Sequence, residues 1–351
     1  MHSQQIVEFG GPLVAHDYPT PEPTGTEVLM RVHGCGVCHS DLHIWDGYFD
    51  LGGGNKVMVI DRGMKMPFTL GHEIVGEVVA LGPEAEGATV GDKRIVYPWV
   101  GCGECAICTR GNDNLCVTQR FLGTRVDGGY SDHVLAPHPR YLVDYEGVDD
   151  DIAGTYACSG LTAYASLKKV ASLGADDNVV MIGAGGVGLS AVHLAPSVIE
   201  AGVIVADTDA AKRQAALAAG AWHAIDSTAE DAVKTLRTEL TKGGASAVID
   251  FVGSPATAQF GLDVLRNGGT LVIVGLYGGQ LPLSLVLLPF RSLRIMGSFV
   301  GSLPDLRALM ALVKERGVPP IPYETRPLSE ASQALVDLKA GHVTGRVVLR
   351  P

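Results

Sequence analysis

The chain has 351 residues, of which 46% are hydrophobic and 19% charged, with a formal net charge of −11 and a mean hydropathy of +0.22. This length predicts two domains, and the composition excludes a disordered chain. The acidic balance argues against nucleic acid as a partner, although a single dinucleotide needs only a local pocket of N–H donors. No apolar run approaches a membrane span and the first 20 residues lack a signal-peptide core, so we expect a cytoplasmic protein without a membrane partner.

The first 150 residues contain short alternating segments that are broken by Gly and Pro. This pattern predicts an antiparallel barrel or a folded sheet, with strands at Val28–Val32, Glu77–Val79, Arg94–Val96 and His133–Leu135. Residues 49–66 include three consecutive glycines and show little periodicity, so we interpret them as a loop.

From about residue 160, short apolar strands alternate with helical stretches, which predicts a parallel sheet. Strands are expected at Val179–Ile182, Val203–Ala206, Ala247–Phe251 and Thr270–Val274, with a helix over Ala210–Ala219. After residue 300 the pattern predicts helices at Asp305–Lys314 and Ser329–Lys339 and a last strand at Val347–Leu349. The apolar stretch Leu281–Leu288 predicts either an interface strand between subunits or a buried strand.

Four of the seven cysteines lie within fifteen residues and follow the pattern C-x2-C-x2-C-x7-C: Cys102, Cys105, Cys108 and Cys116. Four thiolates can close around one tetrahedral Zn²⁺ and leave no open position, which favours a structural site. An iron–sulfur cluster uses the same ligands, but its usual run has different spacing and a proline after the last cysteine, where this chain has Val117. A set of ordinary core cysteines is the remaining alternative.

Cys38, His72 and Cys158 together supply two thiolates and one imidazole. Such a set leaves a fourth zinc position for water or substrate, as a catalytic zinc requires. Each residue alone has an ordinary alternative, since a single cysteine or histidine is more often part of the core. The seventh cysteine, Cys35, is expected to be a packing residue.

A glycine-rich turn follows the strand Val179–Ile182 and opens a helical stretch, as a dinucleotide-binding turn requires. Asp207 ends the next strand, where a carboxylate accepts hydrogen bonds from the adenosine ribose and repels a 2′-phosphate. This favours NAD over NADP. Lys212 could also contact the ribose, or it could be a surface lysine. The turn itself consists of Gly183, Ala184, Gly185, Gly186, Val187 and Gly188.

These motifs resemble the zinc-containing medium-chain alcohol dehydrogenases, and the resemblance covers essentially the whole chain. It is carried by GVCHSDLH (36–43), GHE (71–73), YPWVGCGECAIC (97–108), ACSGLTAY (157–164), the dinucleotide turn and Gly345-Arg346. The resemblance implies an α/β protein in which a doubly wound, parallel Rossmann sheet (160–299) is inserted into a β-rich GroES-like catalytic domain (1–159 and 300–351).

The resemblance also implies reversible oxidation of an alcohol to an aldehyde or ketone, with hydride transfer to NAD and two Zn²⁺ per chain. It identifies Cys38, His72 and Cys158 as ligands of the catalytic zinc, with Glu73 behind the metal and Asp41 orienting the ligand histidine. It places Arg346 and His39 near the coenzyme pyrophosphate and Thr162 near the nicotinamide. The substrate proton is expected to leave through Ser40, a ribose hydroxyl and then His43.

Trp99, Trp45 and Tyr48 are candidate walls of the substrate pocket. His43 and His72 are separated by 28 residues, more than in common relatives. We therefore expect the 49–66 loop to overhang the cleft and to favour bulky or aromatic alcohols. The resemblance further implies a homo-oligomer, a dimer or a tetramer. A polyol dehydrogenase of the same superfamily and a non-catalytic zinc-binding module remain as alternatives.

Overall fold

The computed structural model describes residues 1–351. The first part of the chain forms antiparallel sheets, as its short alternating segments predict. The two strands nearest the proposed metal ligands, Val28–Gly36 and Glu73–Leu81, have mostly buried or half-buried side chains. Both strands are longer than the alternating sequence patterns predict. The elements of this part are β1 His2–Ile6, β2 Val14–Asp17, β3 Val28–Gly36, α1 His39–Asp46, β4 Tyr48–Gly52, β5 Asn55–Met58, β6 Phe68–Thr69, β7 Glu73–Leu81, β8 Lys93–Val96, β9 His133–Ala136, β10 Leu142–Val143, α2 Asp150–Ala153 and α3 Ser159–Lys168.

The interpretation of residues 49–66 as an irregular loop was wrong, because most of this segment is a β-hairpin. β4 and β5 pair in antiparallel register, with Gly52 opposite Asn55. Gly53 and Gly54 form the two-residue turn with φ of +62° and +81°, which matches the handedness that a tight hairpin needs and which glycine adopts without steric cost. We refer to residues 48–58 as the hairpin.

The second part is a six-stranded parallel sheet with helices, as the alternation of strands and helical stretches predicts. Its strand order is β13-β12-β11-β14-β15-β16, so the direction of winding reverses between β11 and β14. Ligands bind such sheets in the crevice at the carboxyl ends of these two central strands. The elements are β11 Asn178–Ile182, α4 Gly186–Val198, β12 Gly202–Ala206, α5 Ala210–Ala218, β13 His223–Ile225, α6 Ala232–Thr235, β14 Ala245–Asp250, α7 Pro255–Val264, β15 Leu265–Ile273, α8 Leu287–Arg291 and β16 Arg294–Gly297.

The alternative of a buried strand at Leu281–Leu288 was wrong, whereas the alternative of an interface strand between subunits stays a prediction. The segment is irregular until α8 begins at Leu287, and Leu285 is 76% exposed. Prolines at 282 and 289 flank the apolar run, and proline cannot donate to a ladder of backbone hydrogen bonds. The apolar side chains of this segment are therefore largely exposed within the single chain.

The last part of the chain returns to the first sheet. It consists of α9 Leu303–Arg316, β17 Tyr323–Pro327, α10 Ala331–Lys339 and β18 Arg346–Arg350. β18 pairs antiparallel with β3, where Val348 lies opposite Gly36, and parallel with β17. This pairing brings Arg346 to the edge of the crevice. No helix is both long and apolar enough to cross a bilayer.

Candidate active site and metal centres

Three connections bring together the proposed catalytic ligands. Cys38 caps the start of α1, His72 directly precedes β7, and Cys158 precedes α3. All three side chains are buried and their ligand atoms lie within 4.8 Å of one another, with 3.9 Å between the two Sγ atoms. Two thiols and an imidazole that converge in this way fit a tetrahedral soft metal with one position left open.

Asp41 fixes the orientation of two of these ligands. Its Oδ1 lies 3.1 Å from His72 Nδ1, which leaves Nε2 to face the thiols. Its Oδ2 accepts hydrogen bonds from the Cys38 backbone N–H at 2.9 Å and from the Tyr130 hydroxyl at 3.0 Å. A carboxylate behind a ligating histidine sets its tautomer and raises its basicity.

Ser40 and His43 lie one helical turn apart on α1. Ser40 Oγ donates to Cys38 Sγ at 3.2 Å and is 3.2 Å from His72 Nε2, so it is at the mouth of the ligand cluster. His43 is half-buried, and burial lowers its pKa below the usual value. Its ring lies 5.0 Å from that of Phe49, which the hairpin supplies.

A buried ion pair lies behind the thiols. Arg346 Nη2 is 3.1 Å from Glu73 Oε1, and Arg346 Nη1 donates to the Val37 carbonyl at 2.9 Å. Burial raises the pKa of Glu73 to about 7, against the opposing effect of the Arg346 charge. Arg346 is only 3% exposed, yet its Nε has no hydrogen-bond partner, and its guanidinium packs against Gly186 at the start of α4. A buried donor at a helix N-terminus fits an anionic group such as a pyrophosphate.

The glycine turn lies at the carboxyl end of β11. Gly183 has φ of +91°, and a Cβ on Gly188 would come within 1.9 Å of the Gly183 carbonyl oxygen, so both positions require glycine. Asp207 follows β12, and its Oδ2 accepts the Ala184 N–H at 2.7 Å. The carboxylate is thus held against the turn, where an adenosine ribose fits.

The other residues expected to bind the coenzyme are distributed around this crevice. Gly185 caps α4, which begins with Gly186 and Val187. Thr162 is buried in the first turns of α3, and His39 is exposed at the start of α1. Lys212 is half-buried on α5.

The four clustered cysteines also converge. Their sulfur atoms lie within 4.8 Å of one another, with 3.5 Å between Cys105 and Cys108. Backbone N–H groups of Glu104 and Cys105 lower the pKa of Cys102 to about 6, which favours the thiolate that a metal binds. No fifth polar side chain takes part in this group, as expected for a closed structural site.

Three aromatic rings pack together on one side of His72, and the sequence predicted only one of them for the pocket. Trp99 lies 5.3 Å from the His72 ring and is fixed by its Nε1, which donates to the Ala157 carbonyl at 2.9 Å. Phe121 and Phe299 lie 5.3 and 5.9 Å from Trp99 and 6.3 Å from each other. We call Trp99, Phe121 and Phe299 the aromatic wall.

The structure does not place Trp45 in this wall. Its indole donates to the Gly11 carbonyl at 2.6 Å, and it is buried in a core cluster that contains neither Trp99 nor the ligand thiols. Tyr48 lies in the hairpin with its ring 3.5 Å from the Lys56 ammonium group. Both aromatic side chains are therefore engaged elsewhere, and we no longer assign Trp45 to the pocket.

Known proteins match this chain over its whole length. Residues 24–146 match the family model described as an alcohol dehydrogenase GroES-like domain, and residues 186–315 match that of a zinc-binding dehydrogenase. An NAD-dependent alcohol dehydrogenase from Sulfurisphaera tokodaii is 38% identical, with 100% of both chains covered.

Solved structures agree with these matches. An alcohol dehydrogenase from Aeropyrum pernix superposes with a TM-score of 0.91 at 32% identity and 100% coverage of both chains. An acetophenone reductase from Geotrichum candidum, in complex with NAD, superposes with a TM-score of 0.86 at 30% identity, covering 100% of this chain and 97% of that one.

Fold and site together define a zinc-dependent dehydrogenase with a Rossmann coenzyme domain. The chain belongs to the zinc-type medium-chain alcohol dehydrogenases. It oxidises an alcohol reversibly and uses NAD and zinc, so the expected fold class, activity and cofactors are confirmed.

Proposed function

We propose that this dehydrogenase acts on bulky apolar alcohols, including aromatic primary or secondary alcohols and the corresponding carbonyl compounds. The aromatic wall beside His72 carries this proposal, because flat apolar rings bind an apolar or aromatic group and offer no hydrogen bond to a polyol chain. The acetophenone reductase that superposes on this chain gives independent support, since its name specifies an aromatic ketone.

The experiment that tests the proposal is a screen of NAD reduction over small, bulky, aromatic and polyhydric alcohols, with and without a chelator. We expect the highest kcat/KM with benzylic and phenyl-substituted secondary alcohols, and loss of activity with the chelator. A polyol dehydrogenase would instead prefer polyhydric alcohols, and a non-catalytic zinc module would reduce no NAD at all.

We assign the residues as follows. Cys38, His72 and Cys158 would hold the catalytic zinc, and Cys102, Cys105, Cys108 and Cys116 the structural zinc. When bound, the catalytic metal acts as a Lewis acid that lowers the pKa of the substrate hydroxyl, and NAD accepts the hydride. Glu73 would stay behind the metal, where its pair with Arg346 holds it away from the ligand cluster.

The coenzyme would occupy the crevice between β11 and β14. The glycine turn (Gly183, Gly185, Gly186, Val187 and Gly188) would approach the pyrophosphate, and the free Nε of Arg346 would donate to it. Asp207 would accept the ribose hydroxyls, with Lys212 nearby. Thr162 would border the nicotinamide, and His39 would lie near the pyrophosphate.

Ser40 and His43 would carry the substrate proton to solvent. Ser40 Oγ is beside both Cys38 and His72, so it can accept the proton of a hydroxyl bound among the ligands. His43 is kept neutral by its lowered pKa and can accept a proton at neutral pH. The ribose hydroxyl would connect these two side chains in the path.

Replacing Ser40 with alanine should reduce kcat by about 100-fold, the lower end of the range for a lost proton-transfer group. Zinc content should stay at two atoms per chain, because Ser40 is not a ligand. Steady-state kinetics with metal analysis checks both results, and unchanged turnover would contradict the proton path.

The hairpin would shape the entrance to the pocket. Its tip packs closely on the parallel-sheet domain, since a Cβ on Gly52 would come within 2.4 Å of Gln280 Cγ, and Phe49 contacts His43. Replacing residues 50–57 with a short glycine turn should lower the preference for aromatic over small alcohols about tenfold. An identical substrate profile in the shortened variant would contradict this role.

We also propose a homo-oligomer, which the exposed apolar side chains of the 276–295 segment support. Phe290 is 80% and Tyr277 71% exposed, and β16 is an unpaired edge of the parallel sheet. A monomer in sedimentation velocity at micromolar concentration would contradict this.

We also propose a cytoplasmic location and three domain segments. The cytoplasmic location is supported by the seven unpaired cysteines, because thiolate ligands stay reduced in that compartment. The segments 1–159, 160–299 and 300–351 follow the division between the antiparallel and parallel sheets.

A further inference from the structure

A side chain of the lobe that carries the four clustered cysteines holds the backbone of Phe299. Asn114 lies between Cys108 and Cys116, and its Nδ2 donates to the Phe299 carbonyl at 3.0 Å. Its own Oδ1 is buried without a partner, so the bond to Phe299 is the only hydrogen bond of this amide side chain. Asn114 is not one of the cysteine ligands, and the closure of the lobe does not need that bond.

The backbone next to Phe299 is strained. Val300 is buried with φ of +42°, a region that β-branched residues rarely adopt. Such conformations persist only where neighbouring contacts hold them. Three hydrogen bonds hold the backbone on either side of Val300. The Ser298 N–H donates to the Ile273 carbonyl at 2.9 Å, and the Tyr97 hydroxyl donates to the Gly301 carbonyl at 2.9 Å. The third is the bond from Asn114 to the Phe299 carbonyl.

Phe299 is the most exposed member of the aromatic wall. Trp99 and Phe121 are each 3% exposed, whereas Phe299 is 40% exposed, so fewer side-chain contacts fix its position. Without the Asn114 bond, Val300 can relax to negative φ. We expect the backbone of residues 299–300 to shift when this bond is lost, and with it the Phe299 ring that packs on Trp99.

We propose that Asn114 is a positioning residue for the substrate pocket, so that the structural-metal lobe sets which alcohols the pocket accepts. The inference rests on the proposed function of the aromatic wall. The lobe would then have two roles: local stability, and positioning of Phe299 through the hydrogen bond to its carbonyl.

The test compares Asn114→Ala with the unaltered enzyme on the bulkiest and the smallest alcohol that the enzyme accepts, for example benzyl alcohol and ethanol. We expect the ratio of the two kcat/KM values to fall about three- to tenfold, the equivalent of one net hydrogen bond. The change should appear in KM for the bulky alcohol, with kcat for the small one unchanged and two zinc atoms retained. Asn112→Ala is the matched control, since that side chain makes no hydrogen bond in the same lobe.

A second substitution separates positioning from local stability. Glycine adopts positive φ freely, so Val300→Gly in the Asn114→Ala background should restore part of the ratio. An unchanged ratio in Asn114→Ala would overturn the inference, as would an equal loss for both alcohols accompanied by loss of zinc. Failure of the proposed substrate class is distinguishable, because it appears in the unaltered enzyme as poor turnover of aromatic alcohols.

Discussion

Replacing Cys158 with alanine is expected to lower kcat/KM by about 1,000-fold or more and to remove one of the two zinc atoms per chain. The reason is that the metal's stabilisation of charge is worth several kcal/mol, and each 1.4 kcal/mol corresponds to a factor of ten. The remaining Cys38 and His72 supply only two ligand atoms, too few for a stable tetrahedral site. Metal analysis and steady-state kinetics on the purified variant check the two results together.

Cys35 provides the matched control for this substitution. It is buried like Cys158 and lies three residues before Cys38, but it belongs to neither cysteine cluster. Cys35→Ala should retain two zinc atoms and most of the activity. Loss of zinc in the control, or full activity in Cys158→Ala, would contradict the assignment of the ligands.

The second large effect is on stability. Replacing Arg346 with methionine leaves the Glu73 carboxylate buried beside the thiols without its partner. Breaking a buried ion pair from one side costs about 3–5 kcal/mol, so the free energy of unfolding should fall by that amount and Tm by about 10 °C. Denaturant and thermal unfolding measure both quantities, and affinity for NAD should fall as well because Arg346 faces the glycine turn.

Two further variants show whether the unpaired carboxylate is the cause. Combining Arg346→Met with Glu73→Gln removes both charges and should recover much of the lost stability. Arg350 lies on β18 like Arg346, but its ion pair with Asp151 of α2 is at the surface. Arg350→Met should therefore cost at most about 1 kcal/mol. Equal losses in Arg346→Met and Arg350→Met would contradict the special cost of the buried pair.

The sequence predicts those parts of the site that lie in contiguous motifs. Cys38, Ser40 and His43 fall within eight residues, and the glycine turn directly follows a strand, so spacing and order alone bring their chemistry into view. The doubly wound sheet follows from the same local signals, because each strand is a short apolar run between glycine turns.

The aromatic wall was only partly predictable, because tertiary packing decides which rings reach the pocket. Trp45 and Trp99 look alike in sequence, yet the first lies on the buried face of α1 and the second lies against His72. Phe121 and Phe299 come from distant connections and belong to no motif. The Val300 conformation likewise has no sequence signal, since valine normally avoids positive φ.

The hairpin and the 281–288 segment show two further limits. Three glycines in a row obscured the alternation that would have predicted β4 and β5, although the same glycines form the turn. In the 281–288 segment, hydrophobicity alone could not separate a buried strand from an interface strand, and Leu285, Val286 and Leu287 lie at the surface of the chain.

The pairing of β18 with β3 has a consequence for synthesis. Val37 and Arg346 are 309 residues apart, so the cation that neutralises Glu73 is synthesised only after the whole parallel-sheet domain. Until then, the nascent chain carries a catalytic cluster whose buried carboxylate has no counter-ion. We therefore expect chains that stop short of β18 to lack both the counter-ion of Glu73 and the strand that pairs with β3, and to remain incompletely folded.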